Sequence, residues 1–332
     1  MKKKINNLQA LRAIAALNVV LVHIISATNN YLPPFDYYHK MKMLNSFGVD
    51  IFFVLSGFIM VYILNNSANT PFNFFLSRAC RILPLYWFLN FFLYILVLFF
   101  PSIFNNASQI TNNFFQSIFF ISYIIFQTHP ILYDGWTLEY EMFFYLSISI
   151  SIFFNKNKIK YIFIILFLLF FIFFKFLNLI AIEFILGVIL GIIFLALKNN
   201  LVLSKESLII GSLFFIGGLF IKIDTDSLFY NRVILYGFPS VLVIYGLLGV
   251  RQVQKGLLTV LGDASYSIYL VQVFSIPAFY KLIVFFNFQS FVAINFLSII
   301  CFILTLVSGI LLYFFVEKNL IDLFRKVFII KY

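Results

Sequence analysis

Residues 290–316 read SFVAINFLSIICFILTLVSGILLYFFV, without one charged side chain. A helix needs about 20 apolar residues, at 1.5 Å each, to cross the hydrocarbon core of a bilayer, and this run is longer than that. Working outward from it, nine further stretches fit the same description: roughly 9–27, 47–65, 82–100, 136–154, 159–175, 178–197, 207–222, 232–250 and 264–284. An eleventh, 113–127, is shorter and lies between Asn105-Asn106-Ala-Ser and His129-Pro130. The predicted fold is therefore an all-α, polytopic transmembrane bundle of about ten spans plus one half-helix.

Composition agrees. Hydrophobic residues make up 63% of the chain and charged residues 11%, against about 45–50% and 25% in soluble domains. There is too little polar surface to cover a globule in water. The net charge of +11 would suggest nucleic acid on a soluble protein. Here the basic residues mark cytoplasmic loops and anionic lipid, because no basic stripe interleaved with aromatics lies outside the apolar runs. Cys80 and Cys301 are too few and too far apart for a disulfide framework or a Cys-x-x-Cys site. His23, His39 and His129 show no metal-ligand spacing.

Charge placement orients the bundle. Met1-Lys-Lys-Lys before an apolar run resembles a signal peptide, but Arg12 interrupts that run and no small-x-small cleavage site follows, so it reads as an uncleaved first span. With the N-terminus cytoplasmic and 113–127 not crossing, 16 Lys and Arg residues fall inside and 6 outside (Lys40, Lys42, Lys175, Lys222, Arg232 and Lys281). A full crossing at 113–127 would move the basic C-terminus outside. Both termini are thus predicted cytoplasmic. No linker, low-complexity tail or internal repeat divides residues 1–332, so a single domain is expected.

Ionisable groups at membrane depth cost about 2.5–3.5 kcal/mol each on insertion scales, and each needs a reason. Arg12 and His23 lie in the first span, Asp50 at the start of the second, Glu139 and Glu141 in 136–154, and Glu183 in 178–197. The topology places His23, Asp50, Glu141 and Glu183 in the outer part of the membrane, and Arg78 and Arg81 at the cytoplasmic end of 82–100. Plainer readings exist: Asp50 caps its helix, Glu183 pairs with Lys175 or caps, Glu139 faces the interface, and the two arginines are anchors. A His and an Arg on one intramembrane helix are harder to explain structurally. Histidine is the usual general base near neutral pH, which makes His23 the expected base on an acceptor hydroxyl, with Glu141 or Asp50 as the carboxylate that orients it and fixes its tautomer. Paired guanidiniums at the cytoplasmic mouth suit the phosphates of a donor.

These residues match a known family. Asn7-Leu-Gln-Ala-Leu-Arg12 with His23 resembles the Arg-x10-His signature of membrane acyltransferase family 3. Phe47-Gly-Val-Asp50-Ile-Phe-Phe-Val-Leu-Ser-Gly57 is similar to its second-helix motif, and Arg78-Ala-Cys-Arg81 to its Arg-x-x-Arg motif. Gly135-Trp136-Thr-Leu-Glu139-Tyr-Glu141-Met-Phe-Phe-Tyr145 resembles the form found in the exopolysaccharide-production branch. Glu183-Phe-x-x-Gly187, Ser265-Tyr266-Ser-Ile-Tyr269-Leu and Val316-Glu317-Lys318 fit as well, so the resemblance covers nearly the whole chain. It implies transfer of an acyl group, usually acetyl from acetyl-CoA as co-substrate, to a hydroxyl of a cell-surface glycan, with no tightly bound cofactor and no metal. Its motifs make His23 and Arg12 essential, assign Arg78 and Arg81 to the donor, and mark Trp136, Glu183 and Tyr266 as further site positions. One departure stands out. Gln272 occupies a place where the family often has histidine, so a mechanism needing a second imidazole is in doubt.

A proton-coupled transporter or flippase for a sugar or acidic substrate would also use intramembrane Arg, His and Glu. The ordered motifs favour the enzyme, with acetyl-CoA, a glycan acceptor and the lipid bilayer as partners and no nucleic acid. The pattern His129-Pro-Ile-Leu-Tyr-Asp134 matches the His-x4-Asp of glycerolipid acyltransferases, but Pro130 and the loop context argue against that reading.

Overall fold

The computed structural model describes residues 5–32, 46–66, 70–197, 200–218, 221, 231–288 and 291–328. Every regular element among them is helical. The main helices are α1 (Asn6–Tyr31), α2 (Gly48–Asn66), α3 (Pro71–Phe99), α4 (Gly135–Ser151), α5 (Asn157–Phe173), α6 (Ile182–Ala196), α7 (Ser204–Gly218), α8 (Phe238–Gly249), α9 (Leu257–Asp263), α10 (Ser265–Phe285), α11 (Phe291–Leu312) and α12 (Lys318–Val327). Single π-helical turns, Val233–Gly237 and Tyr313–Glu317, lead into α8 and α12.

Among the described residues, six helical runs are long and apolar enough to cross a membrane: α1, the 18 residues of α2 to Asn65, α3, Leu179–Ala196, α10 and the continuous Ala293–Val327. The last has only 17% of its best window buried inside the protein. Its exposed side chains, including Phe296, Ile299 and Ile303, call for an apolar solvent. Helices α4, α5 and α7 coincide with expected spans but have 17, 17 and 15 residues, about 22–26 Å of helix. The C-terminal part of the expected span 207–222 falls largely outside the described residues. So do His39 and, of the charge count, Lys2–Lys4, Lys40, Lys42, Lys198, Lys222 and Lys331.

Two expectations change. The span expected at 82–100 belongs to a helix that begins eleven residues earlier, at Pro71. Thr70 caps it by accepting from the Asn73 N–H (3.3 Å), and proline takes the first helical position, where its missing N–H costs nothing. Arg78 and Arg81 therefore stand two to three turns inside α3, not at its mouth. Segment 113–127 forms no continuous half-helix. Phe114–Ile118 is a five-residue helix, and turns follow through 126.

Packing divides the chain into two compact units, Met1–Ile63 with Leu179–Ile310, and Leu64–Asn178 with Leu311–Tyr332. In the first, Leu8, Leu11 and Ala15 of α1 share a buried core with Ile51, Val54, Leu55 and Phe58 of α2, and with Leu190, Tyr236, Val243 and Ile244. Helices α2 and α6 meet backbone to backbone. A Cβ on Gly57 would lie 2.3 Å from the Phe184 carbonyl oxygen, and one on Gly187 2.1 Å from that of Val54. The contacts Phe53–Phe184, Gly57–Gly187 and Val61–Gly191 advance in step, so the two helices run parallel. In the second unit α3 packs against α4 and α12, and α4 against α5.

Candidate functional site

In the first unit the site is built on α1. Eleven residues separate Arg12 from His23, roughly 16 Å of rise and about three full turns, so the two side chains share a stripe. Both are half-buried. Arg12 donates to the Ser265 hydroxyl from Nε (3.3 Å) and Nη2 (2.9 Å), and its guanidinium lies 5.7 Å from the centroid of the Phe52 ring. The Ser265-Tyr266 motif thus starts α10 beside Arg12. Gln272, at the position of the family's histidine, is fully buried two turns further along α10.

Asn18, one turn and a half past Arg12, fixes the start of α2. Its Oδ1 accepts from the Gly48 N–H (3.0 Å) and the Ser46 hydroxyl (3.3 Å). Gly48 abuts the backbone of Ala15, where a Cβ would sit 2.2 Å from the carbonyl oxygen. With Phe52 under Arg12, α2 runs antiparallel to α1. Asp50 is therefore level with about Ala15, eight residues or roughly 12 Å of helix below His23. The sequence reading put the two at one depth.

The structure gives Asp50 a different partner. Arg232 grips both carboxylate oxygens, from Nε to Oδ1 (3.3 Å) and from Nη2 to Oδ2 (2.5 Å), and also donates to the Ser46 carbonyl (2.7 Å). Asp50 is completely buried and the Arg232 side chain 13% exposed. Glu183, in the first turn of α6 and also fully buried, interacts with both members of this pair. Neither of its oxygens accepts a hydrogen bond from a donor among the described residues. Gly237 leaves it room, since a Cβ there would lie 3.2 Å from Glu183 Cγ and Oε1. Asp50 and Glu183 are thus brought together around a cation that sequence reasoning assigned to an outer loop. A buried carboxylate needs a counter-charge, but nothing local in the sequence says that residue 232 supplies it.

The second unit holds the other candidates. Ser149 donates to the Pro71 carbonyl (2.7 Å), and Gly135 abuts Tyr86. Helices α3 and α4 are therefore antiparallel, with Glu141 level with the turn from Arg78 to Arg81. The Tyr145 hydroxyl donates a short hydrogen bond to Glu141 and feels the charge of both arginines. The expected separation of Glu141 from Arg78 and Arg81 by membrane depth is thus not observed, because α3 starts earlier than its hydropathy suggests.

Glu139 does not face the interface. It is 1% exposed, and its Oε2 accepts from the backbone N–H groups of Tyr123 (2.8 Å) and Ile124 (3.2 Å). Further bonds hold the same segment. Ser117 Oγ accepts from the Ile131 N–H (2.9 Å), and Trp87 Nε1 donates to the Ile118 carbonyl (3.0 Å). Non-helical backbone near membrane depth requires such internal partners. Trp136, one turn before Tyr140, stands against Tyr123 with ring centroids 5.7 Å apart. No cluster of three or more His, Cys, Asp or Glu side chains suited to a metal occurs among the described residues.

The family described as "Acyltransferase domain" matches residues 5–314. The exopolysaccharide production protein ExoZ of Rhizobium meliloti (strain 1021) is 31% identical over 255 residues, covering 70% of this chain and 77% of that protein. No solved structure matches the chain.

Proposed function

Because the chain belongs to acyltransferase family 3 and is a multi-pass integral membrane acyltransferase, we propose that it moves an acetyl group from acetyl-CoA to a hydroxyl of an exported polysaccharide. The observation that carries this is the α1 stripe, where a half-buried imidazole and a hydrogen-bonded guanidinium share one face. The similarity to an exopolysaccharide production protein supports the choice of acceptor.

The chemistry follows from the residue types. A sugar hydroxyl is a weak nucleophile near neutral pH. As its oxygen attacks the thioester carbonyl, its proton passes to His23. The C–S bond then breaks, and the departing CoA thiolate takes that proton. Arg12, fixed by Ser265, contacts the donor. Arg78 and Arg81 bind donor phosphates, and Glu141 with Tyr145 holds the two guanidiniums in position. Residues 1–332 work as one catalytic domain.

Labelled acetyl-CoA, purified protein and deacylated polysaccharide test the activity directly, and no ester-linked label on the glycan would refute it. Within that assay, Arg81→Ala should raise the apparent KM for acetyl-CoA about tenfold or more, as loss of a charge-assisted hydrogen bond does, with the acceptor KM unchanged. An unaltered donor KM in a folded, active variant removes the phosphate role.

Ten crossings with both termini cytoplasmic remain the topology we propose, supported by the distribution of basic residues. Asn157 is exposed, and both native cysteines are buried. An Asn157→Cys variant should therefore react with an impermeant thiol reagent only in broken cells. Reaction in intact cells would reverse the orientation.

A further inference from the structure

The segment that fails to form a spanning helix carries a ring cluster the chemistry above does not use. Tyr123 lies 5.7 Å from His129 and 5.7 Å from Trp136, centroid to centroid, with planes tilted by 42° and 43°. Tyr140 closes the cluster from below, 5.9 Å from Trp136 and nearly perpendicular to it. Its hydroxyl accepts from the Asn178 N–H (3.0 Å). Tyr140 is buried, Tyr123 and Trp136 are half-buried and His129 is exposed, so the rings form an open-topped platform.

We propose that this platform is the subsite for the acceptor sugar chain, an inference that rests on the glycan reading above. Two features select a polyhydroxyl ligand. Aromatic faces carry partial negative charge and complement the C–H face of a pyranose, while the exposed imidazole of His129 offers a hydrogen-bonding edge to its hydroxyls. The platform is also ordered before binding. The Glu139 carboxylate clasps the backbone at Tyr123 and Ile124, and Asn113 Nδ2 donates to the His129 carbonyl (3.4 Å). A ligand seated there pays little ordering entropy.

The test uses the full-length protein and the host's exported polysaccharide, stripped of O-acyl esters by mild alkali and cut to short oligosaccharides. Trp136→Ala and Tyr123→Ala should each raise the acceptor KM about tenfold with the acetyl-CoA KM unchanged, and Trp136→Phe should restore most of the loss. The chain has two tryptophans. In a Trp87→Phe background, Trp136 fluorescence should therefore respond saturably to the oligosaccharide with no donor present, a readout that survives if an alanine variant folds poorly. An unchanged acceptor KM in both alanine variants, or no fluorescence response from a protein that still transfers acetyl, overturns the platform and leaves the acyltransferase assignment standing. Rings that merely anchor the protein at the membrane interface would give that result. A wild-type protein that transfers acetyl from acetyl-CoA to no oligosaccharide overturns the glycan reading itself, and the subsite with it.

Discussion

Replacing His23 with alanine should lower acyl transfer by about 10²–10⁴-fold, the usual loss when a general base is removed, while the protein still inserts and folds. Among the described residues no other imidazole lies in a spanning helix. His129 sits on the exposed segment against Tyr123, and His39 lies outside the described residues. Gln272 stands where relatives often carry a second histidine, and an amide cannot take a proton in this pH range. His23 is half-buried, so thermal unfolding in detergent is measured beside turnover to separate loss of the base from loss of the fold. Turnover of purified His23→Ala within a few-fold of wild type would refute the general-base assignment.

The second large effect is on stability. Arg232→Ala should destabilise the first unit by about 3–5 kcal/mol, because it leaves the Asp50 carboxylate buried without its cation, beside Glu183. Arg232→Lys should fall between the two: it keeps the charge but loses the two-pronged grip on Asp50 and the bond to Ser46. Arg232→Met combined with Asp50→Leu should recover part of the loss, since an apolar pair removes the uncompensated charge. Thermal unfolding in detergent, followed by the fraction left monodisperse, reads all three. An Arg232→Ala variant as stable as wild type would show that the cluster is not held by this ion pair.

How far the sequence revealed this arrangement depended on whether each cause was local. Hydropathy located the helices, because a spanning helix satisfies its own backbone and needs only its own side chains to be apolar. It misplaced the start of α3, because Arg78 and Arg81 look like flanking anchors, although Thr70-Pro71 carries the cap signal. The segment at 113–127 was readable as shorter than the other apolar stretches, but the clasp by Glu139 was not, since a carboxylate that accepts from backbone sixteen residues away leaves no pattern. The Asp50–Arg232 pair joins residues 182 positions apart, and only the fold brings them together. The motif glycines were noticed without a reason, and the structure supplies one at Gly57 and Gly187, where two helices touch.

That contact also bears on the electrostatics. Parallel helices in backbone contact present their N-terminal ends side by side, and each end carries about half a positive charge from its aligned peptide dipoles. Asp50 and Glu183 both lie in first turns, those of α2 and α6. Two helix ends together contribute about one positive charge, and Arg232 contributes another, against two carboxylates. The buried cluster can therefore approach neutrality using only the protein's own dipoles and one guanidinium. Any side chain larger than hydrogen at position 57 or 187 would push the two helix ends apart and weaken that balance without touching a charged residue.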